Sequence, residues 1–179
     1  MALTFQEYQQ LAIRTLPPAD HPGGHISTLA LGLAGEAAEV AIAMNAYDDD
    51  KLAKEIGDVY WYLATIMHRY DIQNAPQKAT WVDGAEDTTQ VDDTASATAR
   101  QLMVYAGLVA DIVKKHTGHG HTLDVAALAG FVLAAKVVLD KYLSYHGFSF
   151  EEIARENDAK LRRRFPVGFT SEASINRVE

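Results

Sequence analysis

Apolar residues recur along this chain at steps of three and four, so the elements it predicts are helices. Leu29, Leu33, Ala37, Val40 and Met44 form one stripe at helical spacing, and Ile56, Val59, Tyr60, Leu63 and Met67 form another. Thr4 followed by Glu7 is a capping-box signal for a first helix running to about residue 16, where Pro17 and Pro18 stop it. The second helix is expected over residues 27–46, and Asp48, Asp49 and Asp50 lead into a third that ends near Tyr70. Residues 74–94 are polar, acidic and without period, and read as a loop or linker. Two further helices, over about 95–115 and 123–145, flank the segment HTGHGH, which reads as a flexible turn. Ser149 and Glu152 cap a sixth helix that Pro166 ends, because proline disfavours a helical residue before it. No segment alternates with a period of two, and the expected class is an all-α helical bundle.

Against this background the acidic positions stand out. Glu36 and Glu39 flank the first stripe, and Glu55 and Asp58 flank the second. Residues three apart on a helix share a face, so two antiparallel helices can bring four carboxylates to one spot at the edge of the core. Like charges that close raise one another's pKa and oppose folding unless a cation neutralises them, and an all-oxygen set suits Mg²⁺. Most of the four would hold metal, and one, Glu55, has either a ligand's or a general base's role. Gly32, Gly35 and Gly57 each cost about 1 kcal/mol relative to alanine inside a helix, which close helix approach would explain.

The stretches LGLAGEAAEV and LAKEIGDVYWYLA resemble the paired ExxE and ExxD helices of the MazG-like, all-α nucleoside triphosphate pyrophosphohydrolases. The opening TFQEYQQLAIRTL and the closing IARENDAKLRRRFPVGF are similar to the first and last helices of phage-type members. The resemblance implies the bundle fold of that family and Mg²⁺-dependent cleavage of a nucleoside triphosphate to the monophosphate and pyrophosphate. It also carries the family's metal ligands onto Glu36, Glu39, Glu55 and Asp58, and its substrate-helix Asn and Lys onto Asn157 and Lys160.

Asn157, Lys160 and Arg164 follow one another around one face of the last helix. Lysine offers a mobile cation for phosphate oxygens, and asparagine offers both a donor and an acceptor. The three consecutive arginines complement the negative end of the helix, and of them Arg163 is assigned a phosphate contact. Lys54 reads as a surface ion-pair partner. Trp61, Tyr60 and Tyr62 read as core, with base stacking as the alternative, while Trp81 falls in the linker. His116, His119 and His121 belong to the turn, and His21 and His25 to a loop that could touch a base.

The second half of the chain repeats the pattern of the first with three of its four acids replaced by apolar residues. Aligning residues 106–113 with 34–41 sets Leu108 opposite Glu36 and Asp111 opposite Glu39; aligning 131–139 with 55–63 sets Phe131 opposite Glu55 and Ala134 opposite Asp58. The chain then divides into a metal-bearing half (1–73), a linker (74–94) and a degenerate second half with the closing helix (95–179). An internally duplicated chain is expected to fold as a pseudo-dimer in which the last helix completes the first half's site; the alternative is that two apolar helical hairpins align this well by chance.

Composition narrows the function further. With 179 residues, 48% of them hydrophobic, the chain can bury the core of one domain. A net charge of -8 argues against binding a nucleic-acid polymer, although a Mg²⁺-chelated nucleotide remains acceptable. There is no cysteine for disulfides or thiolate metal sites, and the apolar runs look too short to span a bilayer. These features point to a cytoplasmic protein, in the host cytoplasm if the phage-type likeness reflects its origin; the family resemblance implies assembly through the bundle, with a homodimer expected unless the internal duplication replaces one partner. Two other classes stay open. One is a non-catalytic nucleotide- or metal-binding regulatory bundle; the other, a di-iron carboxylate bundle, lacks the Glu-x-x-His pairs it would need.

Overall fold

The computed structural model describes residues 2–73 and 94–176. They form seven α-helices and no strand: α1 (Phe5–Ala12), α2 (Ile26–Ala46), α3 (Asp49–Arg69), α4 (Ala95–His119), α5 (Val125–His146), α6 (Phe150–Arg164) and α7 (Ser171–Ile175). The expected linker lies outside the described residues save for its last position, Thr94, which caps α4 through a side-chain acceptor for the Ala97 N–H. Trp81 lies outside them as well.

The ends of these helices follow from local chemistry. The capping box of α1 is complete: Thr4 Oγ1 accepts from the Glu7 N–H at 3.2 Å, and Glu7 Oε2 accepts from the Thr4 N–H at 2.8 Å. The α-helix stops at Ala12, short of the expected end. A 3₁₀ turn over Ile13–Thr15 takes its place and delivers the chain to Pro17. Tyr47, left-handed at φ 54°, and Asp48, whose side chain accepts from the Lys51 N–H at 3.0 Å, make a two-residue corner between α2 and α3. So short a connection sets the two helices antiparallel.

Two further expectations are corrected. HTGHGH is not a turn throughout, since α4 continues through His119 before Gly120 ends it at φ 72°. The ring Nδ1 of His116 lies 2.8 Å from the carbonyl of His121, a contact that holds the chain beyond the helix end and requires that nitrogen to be the donor. The chain also does not end its helical structure at Pro166, because Thr170 caps the short α7.

Helices α2 to α5 form a four-helix core in which α2 packs between α3 and α4, and α5 against α4 and α3. Every residue of the two expected stripes is buried. Each Leu, Ile, Val or Met side chain so removed from water contributes about 1.5–3 kcal/mol. The outer layer is α6, laid on α3, with α1 beside both. Phe5, Tyr8, Tyr60 and Phe150 interlock where these helices meet. There Lys136 is buried over the Phe5 ring and paired with Asp140 at 2.6 Å, and Asp140 also accepts from the Tyr60 hydroxyl at 2.7 Å. The buried Tyr60 is core, as the sequence reading has it.

One helix corrects the expectation that no apolar run is long enough for a bilayer. By length and hydropathy α2 could cross one. It is nevertheless built into the bundle: its Leu29, Leu33, Ala37 and Val40 are wholly buried against neighbouring helices, and it carries Glu36 and Glu39.

Candidate functional site

The α2–α3 corner determines the site. Because the two helices run antiparallel from Tyr47 and Asp48, the Glu36/Glu39 turn of α2 comes level with the Glu55/Asp58 turn of α3. Glu36, Glu39 and Glu55 each bring a carboxylate oxygen within 4.8 Å of the others. Glu36 and Glu55 are partly buried and Glu39 is exposed, so the cluster opens to solvent on one side.

Asp58 stands beside this triad in different company. Lys160 Nζ donates to both of its oxygens at 2.6 Å, and Asn157 Nδ2 donates to Oδ1 at 2.8 Å. Both partners come from α6, far away in the chain, and the packing of α6 on α3 brings them there. Asn157 is itself held: its Oδ1 accepts from the Tyr8 hydroxyl at 2.9 Å, which leaves the amide nitrogen facing Asp58. Gly57 makes the approach possible, since a Cβ there would sit 3.2 Å from Asn157 Cβ and Nδ2. The buried Asn157 amide thus has its oxygen met by Tyr8 and its nitrogen by Asp58.

Charge in this corner is unbalanced. Burial first, then the neighbouring Asp58, Glu39 and Glu55, push the Glu36 carboxyl from its ordinary 4.5 up to about 7, with Lys160 only partly opposing them. Glu55 is raised for the same reasons, burial leading and Glu39 and Asp58 following. An all-oxygen donor set with surplus negative charge fits a hard divalent cation such as Mg²⁺, which needs no thiolate or imidazole.

The carboxylates line one end of a cleft of about 540 Å³. Trp61, Tyr62, His21, Phe169 and Arg164 also line it. Trp61 is held there by its indole N–H, which donates to Thr15 Oγ1 at 2.9 Å and to the Ala12 carbonyl at 3.2 Å. Trp61 and Tyr62 are thus partly exposed cleft residues where the sequence reading favoured core. The Arg164 side chain takes part in no hydrogen bond or ion pair among the described residues, and its Nε is buried without a partner. A smaller hollow of about 210 Å³ on the other side of Lys160 and Asn157 is lined by Lys54 and Arg163. Arg163 therefore stands apart from the acidic cleft, and Lys54 forms no ion pair among the described residues.

Sequence reasoning gathered Glu36, Glu39, Glu55, Asp58, Asn157 and Lys160, which the fold brings together. It passed over Arg164 as a cleft residue, although the Lys160–Arg164 spacing of one helical turn was the available signal. Phe169 and Ser171 carried no signal, because nothing local marks a segment beyond Pro166 as returning to the cleft.

No curated protein and no solved structure matches this chain. Residues 25–77 match the family model described as the MazG nucleotide pyrophosphohydrolase domain. That span takes in α2 and α3 with the corner between them and all four acidic residues. The stretch that builds the carboxylate end of the cleft is thus similar to the MazG nucleotide pyrophosphohydrolase domain.

Proposed function

We propose that this protein hydrolyses a nucleoside triphosphate to the monophosphate and pyrophosphate in a Mg²⁺-dependent reaction. The observation that carries the proposal is the convergence of Glu36, Glu39 and Glu55 beside an Asp58 tied to Lys160 and Asn157 of the closing helix. Glu36, Glu39, Glu55 and Asp58 are the residues that would hold Mg²⁺, which when bound supplies charge neutralisation for the phosphate oxygens. Lys160 and Arg164 offer positive charge to the triphosphate from the α6 side, a role that Arg163, outside the cleft, does not share. Asn157 orients Asp58.

In this reaction a water oxygen forms a bond to the α-phosphorus in line with the bridging oxygen to the β-phosphorus, and that second bond breaks. The water proton passes to a carboxylate of the cluster, for which Glu55 is our choice, and pyrophosphate leaves with the bridging oxygen. Direct attack by water is the economical course, because no activated Ser, Thr or Cys nucleophile is evident among the described residues of the cleft.

The second half is, in this reading, a copy that lost its metal. In the alignment α4 and α5 correspond to α2 and α3, with Leu108, Phe131 and Ala134 where acids would be. Asp111 is spent on ion pairs with Lys114 and Lys115. The α6 helix that follows this copy lies on the first half's site, as a pseudo-dimer needs. We place the protein in the cytoplasm, with a homodimer as its assembly.

The deciding experiment is a panel of ribo- and deoxyribonucleoside triphosphates incubated with Mg²⁺, with monophosphate and pyrophosphate both quantified. Equal amounts of the two products from at least one triphosphate are expected. Release of orthophosphate instead, or metal and nucleotide binding with no turnover of any triphosphate, overturns the proposal.

A further inference from the structure

The cleft has two chemically distinct ends. Its carboxylates occupy one turn each of α2 and α3. About 12 Å further toward the start of α2, two turns from Glu36, stands Thr28. Tyr62 lies one turn beyond Asp58 on α3, in the same direction because the helices are antiparallel. Its ring rests directly on the bare backbone of Gly32, where a Cβ would come within 2.2 Å of it. Tyr62 thereby forms part of the floor between the helices, with Trp61 edge-on beside it at 4.9 Å.

The opposite wall comes from two segments distant in sequence. Phe169 meets His21 edge-on with ring centroids 5.0 Å apart, and leans on Phe165 at 5.7 Å. His21 is held in one orientation and one tautomer. Its Nδ1 accepts from the Gly23 N–H at 3.0 Å, so the proton is on Nε2, which faces Ser171 Oγ at 3.1 Å. Apart from Arg164, this end of the cleft presents rings and hydroxyls, whereas Lys160, Lys54 and Arg163 line the neighbouring hollow. Phosphate oxygens have no reason to lie against its rings. A neutral heteroaromatic ring and a sugar do, since aromatic faces stack bases and hydroxyls take up polar edges.

We infer that the His21 loop and the segment from Phe165 to Ser171 form the nucleoside wall of the cleft, taking base and sugar while the phosphates lie at the carboxylates. This rests on the triphosphate reading above and gives the substrate a direction. The β- and γ-phosphates point toward Lys160, and the base points toward Phe169. Base preference is then set by residues outside the 25–77 span that matches the family model.

Phe169→Ala tests the inference, because this ring is partly exposed and lies outside the four-helix core. KM for the best nucleoside triphosphate should rise about tenfold with kcat within about twofold, the loss expected of a stacking ring. Inhibition by inorganic tripolyphosphate, which has no nucleoside, should not change, and Phe169→Tyr should restore KM. An unchanged KM, or tripolyphosphate inhibition that weakens in step with KM, overturns the inference. Calorimetric titration of a nucleoside monophosphate reads the wall without turnover: binding to the unaltered protein should weaken about tenfold in Phe169→Ala. If no triphosphate is cleaved yet this binding difference is found, the hydrolase reading falls and the wall stands. If no nucleoside monophosphate binds the unaltered protein, the wall falls.

Discussion

Replacing Glu36 by glutamine should make the metal-free protein more stable and the Mg²⁺-loaded protein comparatively less so. In the folded chain this carboxyl is raised from 4.5 to about 7, so between those values the folded state keeps a proton that the unfolded state has released. Stability therefore falls as pH rises through that window and stays at its lower level above it. At 1.36 kcal/mol per unit the full shift amounts to about 3 kcal/mol, and because the group is only half-buried, solvent screening reduces it to about 1–2 kcal/mol. Glutamine carries no charge at any pH and removes this penalty. The gain should be complete above pH 7 and should vanish near pH 4, where the glutamate is protonated in both states. For a chain of this size each kcal/mol moves the melting temperature by about 2–4 °C. Mg²⁺ at about a hundred times its Kd stabilises the parent by about 2.7 kcal/mol, a gain the variant should largely lose. Thermal unfolding followed by circular dichroism at pH 4, 6 and 8, with EDTA and with Mg²⁺, checks each part. A variant that melts below the parent in EDTA at pH 8, or a difference that does not depend on pH, would refute the reasoning.

Lys160→Ala should weaken triphosphate binding by about tenfold or more while changing Mg²⁺ affinity far less, as nucleotide and Mg²⁺ titrations can separate. Asp111→Asn should leave turnover within about twofold of the parent, because its carboxyl is exposed, held down to about 2 by hydrogen bonds from Lys114 and Lys115, and without acidic neighbours to share a metal. Gly57→Ala should lower kcat more than stability. The new Cβ presses on Asn157 and turns it from Asp58, whereas about 1 kcal/mol of helix propensity offsets the crowding, so steady-state rates should fall with a melting temperature within a few degrees of the parent.

Local chemistry carried much of this protein. Helical periodicity, the Thr4–Glu7 and Ser149–Glu152 caps and the stops at Pro17 and Pro166 are short-range signals, and they yielded an all-α bundle with its principal helices near their true bounds. The spacing of Glu36 with Glu39 and of Glu55 with Asp58 put two acidic pairs at the edge of the core, because neighbours on one face follow from the helical repeat alone. Where helices end was less legible. The last turn of α4 holds on past His116, and the end of α1 tightens to a 3₁₀ turn, since fraying and tightening at termini depend on what the terminus packs against.

Tertiary packing decided the rest. The laying of α6 on α3 made Asp58 a partner of Lys160 and Asn157 and left Glu36, Glu39 and Glu55 as a cluster of their own. It also aimed Arg164 into the acidic cleft and Arg163 away from it, although the two are adjacent in the chain. Tyr8 reached Asn157, and Phe169 reached His21, across spans that no periodicity encodes. A sequence specifies which groups share a helix face through a repeat of a few residues. Which faces then meet depends on burying apolar surface throughout the bundle at once, and the polar groups at its edge take the partners that this packing brings within reach.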